Sequence, residues 1–319
     1  MQHTVTTSAD GSSTLQLTQF GEAYHSTNGA YTEAMHIYIQ CGLEHLYRNS
    51  NAPIIHIFDV GYGTGLNCIL AWAWQQQLRH KGLPYPIIHY WGIEKFPIPL
   101  SEIEQLNYPN IIAQHTSLLP DNLSEVFHFM HKCPWEKDIA VPGIPHSGNK
   151  RASECSPTEE MCRSGNKSAS GCSATETNIH LGNNSTPKCS QTAEMYQSGN
   201  KCNSGCSTNC GILRTEQDYR EDDFVLHKSC ADIAVLGAEY YRKAMGPAVV
   251  FYDTFSPATQ PELWDEEIFR NIAAGCPAGS VLVTYCSKGT VKQALRNSGF
   301  TLERLAGPPG KRHILRGTL

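Results

Sequence analysis

A chain of 319 residues holds one large domain or two small ones, and its formal net charge of −5 gives no overall field that gathers nucleic acid. An RNA ligand would therefore need a local basic patch. Hydrophobic residues make up 40% and charged residues 17%, and the low charge has a local origin.

Taken in chain order, residues 13–18 predict a small edge hairpin and residues 31–47 a helix covering a sheet. Residues 54–60 form a β-rich run that ends in a glycine loop, and residues 65–79 follow as a helix. Residues 86–93 read as a second strand ending at Glu94. Further on, 223–227 and 248–252 read as the third and fourth strands, the latter ending at Asp253. Residues 261–274 predict a helix, 280–285 the fifth strand, and 290–298 another helix. Residues 300–305 and 312–316 close the pattern as an antiparallel hairpin across Gly307-Pro308-Pro309-Gly310. Alternation of this kind implies a mostly parallel sheet of seven strands with helices on its faces. Residues 1–20 lack the basic-then-apolar order of a signal peptide, and no apolar run approaches the ~20 residues that span a bilayer. A cytoplasmic protein with no membrane partner is the expectation.

A repeat accounts for the low charge. SGNK begins at Ser147, Ser164 and Ser198, with a diverged LGNN at Leu181. Cys-Ser follows in phase at Cys155, Cys172, Cys189 and Cys206, so residues 147–214 are four tandem units of 17 residues. A Ser/Gly/Asn/Thr/Lys composition buries too little apolar area to offset its ordering entropy, which predicts a disordered insertion over 137–214. Residues 1–136 and 215–319 are then the two halves of one domain. Seven of the 13 cysteines lie in the repeats, the count is odd and no CxxC pair occurs, which points to free thiols. Cys202, Cys206 and Cys210 recur every four residues, but Gly and Ser dominate around them and no histidine cluster accompanies them, so no metal site is expected.

Sheets of this class bind ligands beyond the carboxyl ends of their strands. Asp59-Val-Gly61-Tyr-Gly63-Thr-Gly65 sits at such a strand-to-helix turn, where glycines let a ligand approach the backbone. A tight turn alone needs similar glycines. The third glycine comes one residue earlier than in a dinucleotide fingerprint, which disfavours a nicotinamide enzyme. Glu94 is placed to accept bonds from two ribose hydroxyls, or is a solvated strand-end carboxylate. Asp253-Thr-Phe-Ser-Pro257 follows the fourth strand. Asp253 there can orient an amine nucleophile or cap a turn, and Phe255 can stack on a base or shield a sulfonium. Lys288, Lys292 and Arg296, with Lys311-Arg312-His313, are solvated residues unless the substrate is RNA, when they become phosphate contacts.

Several pieces together resemble the methyltransferase domain of the bacterial bifunctional tRNA 5-methylaminomethyl-2-thiouridine biosynthesis protein family and its stand-alone forms. They are Asp10-Gly-Ser12, Tyr24-His-Ser26-x-x-Gly29-Ala30-x-x-Glu33, Gly61-Tyr-Gly-Thr-Gly-Leu-Asn67 and Glu94-Lys-x-Pro97. Asp253-Thr-Phe-Ser-Pro257, Gln260-Pro-Glu-Leu-Trp264, Thr284-Tyr285, Gly299-Phe300 and Gly310-Lys-Arg312 complete the set. The resemblance covers residues 10–136 and about 215–319. It implies a class I S-adenosylmethionine-dependent methyltransferase fold: α/β, Rossmann-like, a seven-stranded mostly parallel sheet with a closing antiparallel hairpin. The activity implied is N-methylation of 5-aminomethyl-(2-thio)uridine at the tRNA wobble position.

By the same resemblance Asp253 holds the amine with Phe255 beside it. Tyr24, Ser26, Glu33, Asp59, Gly61, Gly63, Gly65, Glu94 and Asp232 are the expected donor-binding residues. Ser256, Pro257, Lys311 and Arg312 are the expected substrate contacts. The family has Gly-Asp after the third strand where this chain reads His227-Lys-Ser-Cys-Ala-Asp232, which weakens Asp232 as the adenine contact. The FAD-dependent oxidase half of the bifunctional protein is not expected, so the substrate would need an already exposed aminomethyl group. Two other readings stay open: transfer of an aminopropyl or methyl group to a small amine, and an inactive methyltransferase-like module that binds RNA.

Overall fold

The computed structural model describes residues 3–17, 22–143 and 223–319. The four repeats, with Cys202, Cys206 and Cys210, lie outside the described residues. Strands β1 (His3–Thr7) and β2 (Ser13–Leu17) form a separate antiparallel hairpin, as residues 13–18 suggested. Helix α1 (Ala30–Ala34) runs on through a π-helical stretch (Met35–Glu44) into α2 (His45–Asn49), so the helix expected over 31–47 changes its winding on the way. Next come β3 (Ile54–Val60), α3 (Leu66–His80) and β4 (Ile87–Glu94).

Three helices absent from the sequence expectation follow: α4 (Leu100–Ile103), α5 (Tyr108–His115) and α6 (Pro120–Lys132). Strand β5 (Asp138–Ala140) precedes the repeats, and β6 (Phe224–Cys230) resumes after them. Then come α7 (Ala238–Tyr241), β7 (Ala248–Tyr252), a 3-10 turn (Pro261–Trp264) and α8 (Glu266–Gly275). The helix expected over 261–274 is broken because Asp265 is extended and accepts from the Glu267 amide at 2.9 Å, capping α8 afresh. Strand β8 (Val281–Thr284), α9 (Gly289–Asn297), β9 (Thr301–Ala306) and β10 (His313–Thr318) end the chain.

The main sheet has eight strands in the order β5-β6-β4-β3-β7-β8-β10-β9. β6, β4, β3, β7 and β8 are parallel, whereas β10 runs antiparallel to both β8 and β9. The seven expected strands are all present; β5 is the eighth and corrects the insertion boundary, because 138–140 belong to the sheet. It pairs antiparallel with β6, satisfying that strand's outer edge. The Val141 amide donates to the Phe224 carbonyl at 2.8 Å, so residues 141 and 224, on either side of the repeats in sequence, are neighbours.

Each sheet face has its own apolar layer. Ile37, Tyr38 and Leu43 of the π stretch, Trp72 of α3 and Phe127 of α6 cover one face. Tyr241, Phe269, Ile272 and Leu295 from α7, α8 and α9 cover the other. The chain moves from β3 outward to β4 and β6, then returns to the opposite side of β3 as β7. That reversal sets the loops after β3 and β7 side by side, which is where such a sheet opens a crevice. Among the described residues no helix is long and apolar enough to cross a membrane, and Cys41, Cys68, Cys133, Cys230, Cys276 and Cys286 are free thiols.

Candidate active site

The two loops meet at Gly61. Its φ is 94°, and a Cβ there would lie 2.4 Å from the Asp253 carbonyl oxygen, so only glycine lets them close. The Asp253 amide completes the junction by donating to the Val60 carbonyl at 2.9 Å. Glu94, at the end of β4, folds back on the same loop. One carboxylate oxygen accepts from the Gly63 amide at 3.0 Å and the other from the Phe96 amide at 2.9 Å, while burial raises its pKa.

Two cavities open at this junction. The first is lined by Gly61, Gly63, Glu94, Phe96, Asp232 and Leu263, among others. The second is lined by Glu22, His25, Ser26, Glu33, Tyr285 and Lys311, among others. Tyr24, Asp253, Thr254 and Phe255 line both and form the wall between them. The Tyr24 and Phe255 rings meet edge to face at 5.0 Å.

The wall is fastened from several elements. The Tyr285 hydroxyl donates to the Thr254 carbonyl at 2.9 Å, and the Trp264 indole donates to the Phe255 carbonyl at 2.8 Å. Glu22 accepts from the Ser256 amide at 3.2 Å and from the Thr259 hydroxyl. The Tyr24 hydroxyl lies 3.3 Å from His3 Nε2, and the other His3 nitrogen is paired with Glu102.

Asp253 is the charged group of this wall. Burial is the largest influence and raises its pKa from 3.8 to about 6; the Tyr38 hydroxyl and Asn67 amide beside it, with the Lys311 charge, pull it down, and Glu33 pushes it up. In the second cavity Lys311 pairs with Glu33 and sits 5.0 Å over the Tyr285 ring. His25 is held neutral, its pKa lowered to about 4 by burial and then by Lys311. At the mouth of the first cavity Asp232 accepts from Lys95 at 2.6 Å and from the Ala234 amide at 3.0 Å.

Tyr24, Gly61, Gly63, Glu94 and Asp232 thus line one cavity, with Asp253 and Phe255 in its wall. Several expected residues fall elsewhere. Ser26 and Glu33 line the second cavity and not the glycine-loop cavity, because Tyr24 and Phe255 stand between. Asp59 is fully buried one layer below, accepting from the Tyr90 hydroxyl at 2.6 Å. Gly65, at φ 73° ahead of α3, faces His131 and the Tyr62 hydroxyl. Ser256 turns to Glu22, Pro257 lines neither cavity, and Arg312 is exposed outside both. Glu22 and Asn67 are site residues that the sequence did not single out. Asn67 is the last residue of the glycine motif, and only its neighbours in space reveal its role.

Residues 216–319 match the model of the S-adenosyl-L-methionine-dependent methyltransferase family. The tRNA 5-methylaminomethyl-2-thiouridine biosynthesis bifunctional protein MnmC of Nitrosospira multiformis is 42% identical over 69 residues, which is 22% of this chain and 11% of that protein. Its namesake from Delftia acidovorans is 22% identical over 305 residues, covering 93% of this chain and 32% of that protein. The chain therefore spans about a third of the length of the curated relatives that it matches from end to end. Among solved structures, that of MNMC2 from Aquifex aeolicus superposes with a TM-score of 0.57 at 18% identity, covering 100% of this chain and 70% of the other. The fold is that of a class I S-adenosylmethionine-dependent methyltransferase, and along nearly its whole length the chain is similar to MnmC proteins.

Proposed function

We propose that the protein transfers the methyl group of S-adenosylmethionine to the exocyclic amine of 5-aminomethyl-(2-thio)uridine at the tRNA wobble position. The observation that carries the reading is the shared wall, which puts one carboxylate, Asp253, between a glycine-loop cavity and a second cavity. The names of the relatives support the choice of acceptor.

The first cavity suits the donor. Gly63 leaves backbone open to it, and each Glu94 oxygen, after one backbone bond, keeps a lone pair for a ribose hydroxyl. Ile93, Ile233 and Leu263 offer apolar surface for a base, with Asp232 at the rim. When bound, the donor supplies an electrophilic methyl carbon: the N–C bond forms as the C–S bond breaks, and the nitrogen loses a proton. Asp253 holds the amine by accepting its N–H bonds and aims the lone pair through the wall. With a pKa of about 6 its carboxylate is ionised near neutrality and can take the released proton. The rings of Tyr24 and Phe255 exclude water from the line of transfer and favour a sulfonium. Ser26, Glu33 and Lys311 are assigned to the acceptor cavity, with Ser256, Pro257 and exposed Arg312 bordering the RNA.

A polyamine acceptor would need several free carboxylates. Glu22 is already bound to Ser256 and Thr259, and Glu33 to Lys311, which leaves Asp253 as the available carboxylate among the described residues that line the second cavity. The test is mass analysis of nucleosides from tRNA bearing 5-aminomethyl-2-thiouridine after incubation with the donor, beside a spermidine control. A methyl gain on that nucleoside alone is expected. Alkylation of spermidine with unmodified tRNA would overturn the reading.

A further inference from the structure

Asn67, in the first turn of α3, is 3% exposed and reaches back under the wall. Its side-chain nitrogen donates to Asp253 Oδ2 at 2.9 Å and to Asp59 Oδ1 at 3.4 Å, so one amide is shared between two acids. Asp59 is closed off on its other oxygen by the Tyr90 hydroxyl. The Asn67 carbonyl oxygen, by contrast, is buried with no partner. A buried amide normally satisfies both ends. Here the donor end is used and the acceptor end is left unpaired, which a packing role alone does not call for. Buried, adjacent and without a cation between them, the two acids cannot both be charged cheaply. Burial, with the nearby Asp253 charge, holds the Asp59 pKa well above the ordinary carboxylate range, although the Tyr90 hydroxyl and the Asn67 amide pull it down.

We infer that Asn67 is a positioning residue for methyl transfer: its amide pins one oxygen of the Asp253 carboxylate to the protein side of the wall, leaving the other oxygen to the amine in the acceptor cavity. The role assigned to Asp253 rests on the proposed function, whereas the pinning itself is a property of the free protein. Other groups also face Asp253: Asp59 on β3, Glu33 on α1, Tyr38 in the π stretch, Tyr108 on α5, Tyr285 after β8 and Lys311 before β10. Of the neighbours that lower its pKa, Asn67 is the one that bonds it at 2.9 Å, because the Tyr38 hydroxyl makes no full hydrogen bond.

The test follows the Asp253 carboxyl carbon in protein labelled at aspartate, assigned with Asp253→Asn, across a pH titration of wild type and Asn67→Ala. Losing a donor to the charged form should move the titration upward by about one pH unit. Single-turnover transfer to tRNA bearing 5-aminomethyluridine should fall about 10- to 100-fold, the scale of a misplaced catalytic group. Donor affinity by calorimetry should stay within about three-fold, since Asn67 does not line the donor cavity. If Asn67→Ala does not fold, Asn67→Asp keeps the shape and should also raise the titration. An unmoved titration, or a moved one with full transfer, overturns the inference. If wild type methylates no tRNA, the substrate reading falls, and the titration still decides whether Asn67 holds Asp253.

Discussion

Asp253 occupies a position where its charge opposes folding. Its pKa is raised from 3.8 to about 6 mainly because burial removes it from water, with no cation bonded to it among the described residues. A carboxyl raised in the folded state is least unfavourable at low pH, where folded and unfolded chains both carry the proton. Stability is then lost as the pH climbs from about 3.8 to about 6, and the penalty is complete above that window. The ceiling is about 3 kcal/mol, reduced by the opening of the side chain to both cavities. Asp253→Asn should therefore melt above wild type at pH 8 and alongside it at pH 4, a trade of stability for function. A lower melting temperature at pH 8 would show that the carboxylate stabilises the fold. At this scale the sequence marked Asp253, Glu94 and Gly61 because a strand end followed by a loop is visible in a pattern of residue types. It did not mark Asn67, whose partners are eight and 186 residues away. Nor did it separate Ser26 and Glu33 from the glycine-loop cavity, since the rings of Tyr24 and Phe255 intervene only in space.

Elements with strong periodicity or β-branched runs were legible, among them β3, β4, β7, β8 and the closing hairpin. The π stretch was not, because its altered winding serves packing: a Cβ on Gly42 would lie 2.8 Å from Val283 and 3.3 Å from Phe251, so the helix touches the sheet there. Helix α6 was missed although Leu123, Val126, Phe127 and Met130 carry a helical spacing and are all buried. Strand β5 gave no signal, being three residues long beside a charged stretch. It matters for the insertion, because its pairing with β6 brings both ends of that segment together. Replacing residues 147–214 by a short Gly/Ser linker should shift the melting temperature by no more than about 2–4 °C, the equivalent of ~1 kcal/mol. Donor binding should persist as well. Loss of folding or of donor binding in that variant would show that the repeats are part of the domain's core.

On the scale of the whole molecule, the sheet order places the β3 and β7 loops together, and their closure at Gly61 builds a wall with a cavity on either side. The net charge of −5 does not oppose an RNA acceptor if recognition is local, through the Lys311 region beside the second cavity. The central claim is that donor and amine meet across Asp253. The most direct measurement is single-turnover transfer of labelled methyl from S-adenosylmethionine to tRNA with an exposed 5-aminomethyl group, run with wild type and Asp253→Ala, with donor affinity measured for each. Transfer by wild type, none by the variant, and donor binding within a few-fold in both is the result predicted. Donor binding without transfer by wild type, or transfer that survives Asp253→Ala, would contradict it.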